Sequence, residues 1–414
     1  MTVPNRTPRL KVAIIGGGPG GLGAAIALSK LPFVDWTLYE KKPEISETGG
    51  GISLQRHTWR MLEWNGAAKH IRPDDYSRSP DGITVQFRNG RTGDLLDESH
   101  YSADTPTSQL SCRVRRSILQ AALLKEVDKS KVKLSARLVG LEKLSNGQVK
   151  ISFDDGSTDQ VDLLVAADGI RSPVRSIVFP EHKIKYNGQS AYRTIIPTSV
   201  VKAAVDIPHN SVFWQNLGGR YIFTCPLGGD DFEVTARLGR PTEGQEHVSW
   251  GRPFDFSTIA HEYEGFCEEV RKVVDLVAKL GGTEEFALFS GPRLESVIAL
   301  DAIALIGDAS HPLSGAFGAG AGFALEDVFA LSKAVELAWE QGQGVSEALK
   351  LYDSIRSPHY RDLYEALDWY GLPVDREIEE RVKRTSGKKG SWMYTYDIQE
   401  AVAQHLGKEV TMSA

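Results

Sequence analysis

Three glycines near the start of the chain are spaced to hold a phosphate group. Gly16, Gly18 and Gly21 form GxGxxG between the apolar run KVAII and the small-residue segment LGAAIALSK. The first glycine of such a loop makes a tight turn, the second lets a pyrophosphate approach, and the third lets a helix pack on a strand. Glu40 ends the next apolar run, WTLYE, where its carboxylate can accept hydrogen bonds from ribose hydroxyls. These residues predict a dinucleotide site and leave FAD and NAD as alternatives.

Two later segments place an acidic residue directly after an apolar run. Asp168 follows VDLLVAA in AADGIRSPVR, although Asp-Gly is also a common turn. Asp308 follows AIALIG, at the carboxyl end of a predicted strand, where open α/β sheets bind ligands. The glycine-rich stretch from Gly315 to Gly322 then leads into a predicted helix. Because glycines are costly in backbone entropy, this stretch indicates a ligand that lies very close to the chain.

Taken together, these segments resemble a known enzyme family. GGGPGG with Glu40, DGIRSPVR, and GDASHP with its glycine-rich sequel are similar to the single-component FAD-dependent aromatic hydroxylases, and most of all to their salicylate hydroxylase-like branch. The resemblance spans roughly residues 11 to 360. The ordered set of three motifs is far more specific than any one of them, and it favours FAD over NAD.

The resemblance implies cofactor contacts at each motif. Glu40 is expected to hold the adenosine ribose, Arg116 in RRSILQAAL to contact the flavin side of the cofactor, and Asp308 to bind the ribityl chain. A helix that begins near Ala321 directs its positive end at the flavin. The other cofactor-binding candidates belong to the glycine-rich turns and to the second motif: Gly51, Asp168, Gly320 and Ala321.

The resemblance also implies the reaction. NADH or NADPH reduces FAD, dioxygen adds to give a C4a-hydroperoxide, and its distal oxygen passes to a phenol or hydroxybenzoate, with or without loss of a carboxylate. A second GxGxxG is absent from the sequence, so the nicotinamide cofactor is expected to bind transiently near the flavin. Two alternatives stay open: a flavin-dependent reductase or oxidase on the same fold, and a non-catalytic dinucleotide-binding protein.

Candidate substrate contacts come chiefly from the β-type segments in the middle of the chain. By the same resemblance, Arg193 in SAYRTII is expected to hold a phenolate or carboxylate, and a structural pair with a surface carboxylate is the alternative. His57 is the second catalytic candidate, as a base beside the flavin, with helix capping or solvent exposure as alternatives. Aromatic residues in a sheet also commonly belong to the core. The predicted pocket residues are Tyr192, Trp214, Tyr221, Phe223 and Cys225.

The order of these runs predicts an α/β fold of aromatic hydroxylase type. A Rossmann-like FAD-binding domain, 9–175 and 292–366, is interrupted by an antiparallel-sheet substrate domain, 176–291, because β-type runs separated by glycine pairs replace the α/β pattern there. Asn89-Gly90 predicts a hairpin. The segment 367–414 is a predicted C-terminal extension, and its last ~30 residues, including RTSGKKGS, are expected to be loosely held.

Composition excludes several other classes. The 414 residues are 41% hydrophobic and 25% charged, as in globular proteins, and the net charge of −6 offers no general attraction to nucleic acid or anionic lipid. The three cysteines, Cys112, Cys225 and Cys267, predict neither a disulfide framework nor a metal site. No run reaches the ~18 apolar residues of a membrane helix. We therefore expect a cytoplasmic protein, either a monomer or a homodimer. The resemblance implies a small aromatic substrate and dioxygen as its partners.

Overall fold

The structure is a computed structural model, and it describes residues 9–47, 49–241, 250–313, 315, 318–371, 378–386 and 392–406. Within these ranges, a six-stranded sheet organises what we call the parallel-sheet half. The predicted βαβ unit is present, since Leu10–Ile15 pairs in parallel with Val34–Tyr39 and helix Pro19–Ser29 connects them. The strand order is Ile298–Ala299, Ile303–Leu305, Leu163–Ala166, Leu10–Ile15, Val34–Tyr39 and Val132–Lys133.

The helices of this half pack closely because glycines allow it. A Cβ on Gly23 of the first helix would lie 2.6 Å from Leu325 Cδ2, so only glycine lets the two helices approach so closely. No helix among the described residues is long and apolar enough to cross a lipid bilayer. The helices are Pro19–Ser29, Arg56–Asn65, Arg116–Leu124, Pro173–Val178, Gly320–Glu340 and Val345–Gly371. Two small antiparallel sheets accompany them, Gly51–Leu54 with Cys112–Arg115 and Tyr76–Ser77, and Leu138–Lys143 with Val149–Phe153 and Thr158–Val161.

An eight-stranded sheet, counted over the same ranges, forms the other half, and we call it the cleft sheet. Helices Thr198–Ala204 and Glu268–Leu280 cover one of its faces and enclose a core with it. The opposite face borders a cleft. The strand order is Trp250–Phe254, Thr283–Ser290, Lys185–Pro197, Asp231–Gly239, Tyr221–Gly228, Val212–Gln215, Ile83–Asn89 and Leu95–His100.

The last two strands of the cleft sheet come from an earlier part of the chain than predicted. Ile83–Asn89 and Leu95–His100 form the hairpin expected at Asn89, but the hairpin pairs in parallel with Val212–Gln215. The described part of the predicted insertion, 176–291, thus supplies six of the eight strands, and the predicted FAD-binding segment supplies two. The reason is packing: the ring of Phe87 stacks on that of Phe213, with centroids 5.6 Å apart.

The described part of the C-terminal extension is packed, which corrects the expectation of a loose tail. It forms helices Ile378–Ser386, Trp392–Thr395 and Ile398–Leu406. Met393, Ile398 and Val402 join the core of the parallel-sheet half. Ile398 and Val402 lie one helical turn apart and so present one apolar face to that core. Residues 387–391, which hold most of RTSGKKGS, lie outside the described residues.

A fully buried ionic network joins the two long helices. Arg356 Nε donates to Asp327 Oδ1 at 2.7 Å, and Arg356 Nη2 donates to Glu326 Oε2 at 3.2 Å. The second oxygen of Asp327 accepts the Gly307 N–H at 2.8 Å. The network therefore also holds the loop that carries Asp308.

Breaking this network is expected to destabilise the fold. Arg356→Met leaves the buried Asp327 carboxylate without its guanidinium, so the free energy of unfolding should fall by about 3–5 kcal/mol. Urea unfolding of the apoprotein measures it. Lys350→Met is the matched control on the same helix, because Lys350 is exposed and 3.7 Å from Glu347, and it should change stability by less than about 0.5 kcal/mol. Equal effects of the two substitutions would contradict this role of Arg356.

The same network predicts a pH dependence. Burial raises the pKa of Glu326 to about 8 from an ordinary value of 4.5. Between these values the unfolded chain binds fewer protons at this carboxyl than the folded chain, so Glu326 lowers stability progressively as pH rises. We expect the stability of Glu326→Gln relative to the native protein to increase from pH 5 to pH 8, as measured by urea unfolding. A difference that is constant with pH is the contrary result.

Candidate active site

A cleft of about 2230 Å³ separates the parallel-sheet half from the cleft sheet. Both glycine-rich segments and one face of the cleft sheet line it. Predicted site residues from widely separated parts of the chain therefore share one space. Those that line the cleft are Gly18, Gly51, Arg116, Arg193, Tyr221, Phe223, Cys225, Asp308, Gly320 and Ala321.

The three glycines of the first loop have different surroundings. Gly16 has a φ of +107°, and a Cβ there would overlap the carbonyl oxygen of Ala167. A Cβ on Gly21 would overlap the carbonyl oxygen of Gly16. At Gly18, in contrast, a Cβ would meet nothing within 4 Å, and the residue borders the cleft. The fold itself requires glycine at positions 16 and 21. At Gly18 the fold would tolerate a side chain, but glycine leaves the backbone accessible from the cleft.

Two helices begin at the cleft without a side-chain cap. Helix Pro19–Ser29 follows Gly18, and helix Gly320–Glu340 follows Ala319, and neither of these described N-cap positions carries a side-chain hydrogen bond. The first N–H groups of a helix have no partner within the helix and attract anions. A Cβ on Gly320 would lie 3.7 Å from Asp308 Oδ1, so this carboxylate stands beside the second helix start.

Glu40 and Asp168 hold the loops that border the cleft and are not part of its lining. Glu40 Oε2 accepts the Gly17 N–H at 2.6 Å, and Oε1 accepts the Lys42 N–H at 2.9 Å. Asp168 Oδ2 accepts the Val174 N–H at 3.1 Å. Burial raises the pKa of Asp168, whose other oxygen has no hydrogen-bond partner among the described residues. Their predicted contacts with the cofactor stay predictions.

Glu233 connects the glycine turn at Gly51 to two arginines, and sequence reasoning missed it. Arg193 Nε lies 2.9 Å from Glu233 Oε1, Arg113 Nη2 donates to Glu233 Oε2, and the Gly51 N–H donates to the same oxygen at 3.1 Å. Burial alone would raise the pKa of Glu233, but the charges of Arg113 and Arg193 outweigh it and lower that pKa. Two guanidinium groups therefore share one ionised carboxylate and leave a net positive charge in the cleft wall.

The expected aromatic wall is present but is built from partly different residues. Phe213 lies at its centre, with ring centroids 5.6 Å from Phe87, 4.6 Å from Phe223 and 5.3 Å from Tyr221. All four rings line the cleft. Cys225 follows on the same face of its strand, where its Sγ is 3.1 Å from Ser211 Oγ. Tyr221, Phe223 and Cys225 thus line the cleft, and their contact with the substrate stays a prediction.

Tyr192 and Trp214 were predicted on the wrong face of the sheet. Both are at most 2% exposed and belong to the core under the covering helices. Their chain neighbours Arg193 and Phe213 line the cleft instead. Successive side chains of a strand point to opposite faces, so an error of one residue moves the prediction to the other side.

His57 does not line the cleft, which corrects its assignment as the pocket base. Its side chain is buried against the start of helix Gly320–Glu340, where a Cβ on Gly322 would overlap the imidazole. The ring stacks on Phe323 with centroids 5.7 Å apart. Burial lowers the pKa of His57 to about 4, so the imidazole is neutral near pH 7.

An alternating pattern could have revealed the missed polar residues. In DFEVTARLG, the polar residues Glu233, Thr235 and Arg237 alternate with apolar ones, and all three line the cleft. The intervening apolar residues are buried on the other face. Arg113 shows the same alternation in CRVR, between Cys112 and Val114. Period-two alternation is the usual signal of a half-buried strand, and its polar side here faces the cleft.

Comparisons with known proteins give a consistent result. Residues 9–366 match the family described as FAD binding domain. The 6-methylsalicylate 1-monooxygenase atA of Aspergillus terreus is 30% identical over 371 residues, covering 86% of this chain and 80% of the relative. A salicylate hydroxylase of Pseudomonas putida is 26% identical over 433 residues, covering 96% and 94%. A solved salicylate hydroxylase substrate complex has the same fold, with a TM-score of 0.80 at 22% identity, covering 98% of this chain and 100% of that one.

The residues around the cleft fit the cofactor of this family. Gly18 and Gly320 present bare backbone to the cleft, two uncapped helix starts border it, and its volume accommodates a dinucleotide beside a substrate. The predicted fold and the predicted choice of FAD over NAD are confirmed. NAD(P)H is the co-substrate typical of this family. The chain belongs to the FAD binding domain family and is an FAD-dependent aromatic monooxygenase.

Proposed function

We propose that this enzyme hydroxylates a phenolic or hydroxybenzoate-type aromatic, consuming NADH or NADPH and dioxygen. The observation that carries the proposal is the cluster of Arg113, Glu233 and Arg193, which adds one net positive charge beside an aromatic wall. A phenolate or benzoate combines the flat apolar ring and the negative charge that such a surface recognises. The relatives named for salicylate and 6-methylsalicylate support this substrate class.

Residues from both halves would hold the cofactor. The backbone at Gly18 and the start of helix Pro19–Ser29 would bind the pyrophosphate, and Glu40 the adenosine ribose. Asp308 would bind the ribityl chain, and Arg116 would contact the flavin side. The chemistry that FAD would supply here, once reduced by NAD(P)H, is the activation of dioxygen, with one oxygen atom going to the substrate and the other leaving as water. The residues proposed to lie against the flavin ring are Gly51, Gly320 and Ala321.

Arg193 is positioned to bind the anionic oxygen of the substrate. Its Nε is engaged with Glu233, while its terminal amino groups make no hydrogen bond within the described ranges. A guanidinium next to a phenol lowers the phenol pKa and so favours the phenolate. The phenolate oxygen donates electron density to the ring carbons ortho and para to it, which makes them better nucleophiles toward an electrophilic oxygen. Arg193 therefore both orients the substrate and activates it.

The aromatic wall would shield the bound substrate from solvent. Phe87, Phe213 and Phe223 present apolar faces to the substrate side of the cleft. Excluding water protects a reactive oxygen donor and strengthens the electrostatic effect of Arg193. We infer that this wall also selects planar substrates.

The first test is a substrate screen. Salicylate, the isomeric hydroxybenzoates and larger phenols are offered to the FAD-loaded enzyme with NADH or NADPH, and products are read by mass spectrometry. We expect at least one of them to accelerate NAD(P)H consumption and to gain one oxygen atom, with carbon dioxide released where the attacked carbon carries a carboxylate. If none accelerates consumption or gains oxygen, the proposal fails.

Arg193→Met tests the substrate contact. Loss of a charged hydrogen bond of about 1.5–3 kcal/mol predicts a decrease in kcat/KM for the aromatic substrate of about tenfold or more. FAD content should not change. Arg252→Met serves as control, because Arg252 pairs with Glu285, is half exposed and does not line the cleft. If both variants keep the native kcat/KM, Arg193 does not bind the substrate.

Substitutions at Gly18 and Gly21 distinguish an effect on cofactor binding from an effect on folding. We expect Gly18→Ala to weaken FAD binding and leave the unfolding midpoint of the apoprotein unchanged, because nothing in the protein lies within 4 Å of the added carbon. Gly21→Ala should destabilise the apoprotein by about 1–3 kcal/mol, since its Cβ overlaps a backbone oxygen. FAD titration by fluorescence quenching and urea unfolding provide the two measurements. Native FAD affinity in Gly18→Ala argues against the proposed pyrophosphate site.

A further inference from the structure

The cleft sheet presents its side chains to the cleft in successive rows. Glu233 pairs with Cys225 across adjacent strands, and two residues further along the strand Thr235 pairs with Arg193. Two residues beyond that, Arg237 pairs with Tyr221. Residues two apart on a strand point to the same face, and the rows are about 7 Å apart. The row of Arg237 thus lies beyond Arg193, on the side away from Glu233.

Arg237 is a cationic side chain of the cleft wall with an unsatisfied donor. Its guanidinium carbon lies 5.7 Å from the ring centre of Tyr221. Its Nε is buried and has no hydrogen-bond partner, and within the described ranges the residue forms no ion pair. A buried donor without a partner costs free energy, and a ligand acceptor would satisfy it.

A second guanidinium stands at the same end of the cleft. Arg381, on helix Ile378–Ser386, lines the cleft, and its Nη1 lies 3.3 Å from the position that a Cβ on Gly219 would occupy. Burial and the charge of Arg237 lower the pKa of Arg381. Two cations that repel each other at one end of a cleft are stabilised together by an anion placed between them.

Other arginines of the cleft are already matched by protein acceptors. Arg113 and Arg193 share Glu233, as described above. Arg78 donates to the carbonyl oxygens of three residues in the segment 107–110. The remaining pairs with carboxylates are Arg56 with Asp104, Arg116 with Glu47, Arg293 with Glu295 and Arg361 with Asp362. Arg237 therefore differs from these arginines, because within the described ranges its side chain has neither a carboxylate partner nor a hydrogen-bond acceptor.

We propose that Arg237, together with Arg381 and Tyr221, forms a second anion-binding subsite for the aromatic substrate. The subsite takes a carboxylate carried on a substituent that extends past the group bound by Arg193, toward the row of Arg237. The substrate class is then a phenol with a remote acidic group, longer than salicylate. This inference rests on the proposed function, in which Arg193 binds the phenolate.

A matched pair of ligands tests the subsite by calorimetry on the FAD-loaded enzyme without NAD(P)H. The probes are 3-(4-hydroxyphenyl)propanoate, whose carboxylate is remote from the phenol, and its uncharged primary amide. We expect the native enzyme to bind the acid about tenfold or more tightly than the amide. Arg237→Met should abolish this preference, because it weakens binding of the acid and leaves the dissociation constant of the amide within about twofold of the native value. Arg237→Lys should retain part of the preference.

Arg220→Met is the control for a general loss of positive charge. Arg220 is the residue directly before strand Tyr221–Gly228, but it pairs with Glu262 and does not line the cleft. It should keep the native preference for the acid.

Three results would overturn the subsite: equal binding of acid and amide by the native enzyme, equal weakening of both by Arg237→Met, or an Arg237→Met effect confined to the KM of NADH or NADPH. The last result would assign the arginine to the phosphates of the nicotinamide cofactor. Because the calorimetry involves no turnover, a preference for the acid without any hydroxylated product supports the subsite and contradicts the proposed function. Hydroxylation of salicylate by an enzyme that shows no preference for the acid supports the proposed function and contradicts the subsite.

Discussion

The Glu233 carboxylate is the interaction on which the geometry of the cleft depends. It binds the Gly51 backbone and Arg113, which belong to the small sheet beside the parallel-sheet half, and Arg193, which belongs to the cleft sheet. A Cβ on Gly51 would lie 2.6 Å from this carboxylate, so only glycine permits the contact. The proposed positions of the flavin ring and of the substrate anion are thereby fixed relative to each other by a single ionised group. If Arg193 moved away, its guanidinium would lose its carboxylate partner, and if Gly51 moved away, its N–H would lose its acceptor.

The sequence was informative wherever the structure depends on local periodicity. The GxGxxG unit and helix Gly320–Glu340 each carry their signal within one segment, and each formed close to the predicted position. Tyr221, Phe223 and Cys225 alternate along one strand, and all three line the cleft. In SAYRTII the alternation is weak, since Ala191, Tyr192 and Thr194 are all buried, and the side that faces the cleft is not evident from the segment alone.

Other features depend on partners far along the chain, and no local pattern contains them. His57 lies in an amphipathic helix, and its burial results from contacts with Gly322 and Phe323, more than 260 residues later. The hairpin at Asn89 was recognised, but its pairing with Val212–Gln215 follows from the stacking of Phe87 on Phe213. The docking of the C-terminal helices is of the same kind, because the core that receives them is assembled from distant segments.

The parallel-sheet half draws strands and helices from both ends of the chain, and this has a consequence for biosynthesis. All described strands of the cleft sheet have been translated once Ser290 is made, whereas Ile303–Leu305 and helix Gly320–Glu340 come later. Until then, helix Pro19–Ser29 lacks the surface of Leu325 on which Gly23 packs. A nascent chain on the ribosome can therefore complete the substrate-facing sheet first, and the prosthetic group can be enclosed only when the last third of the protein has emerged.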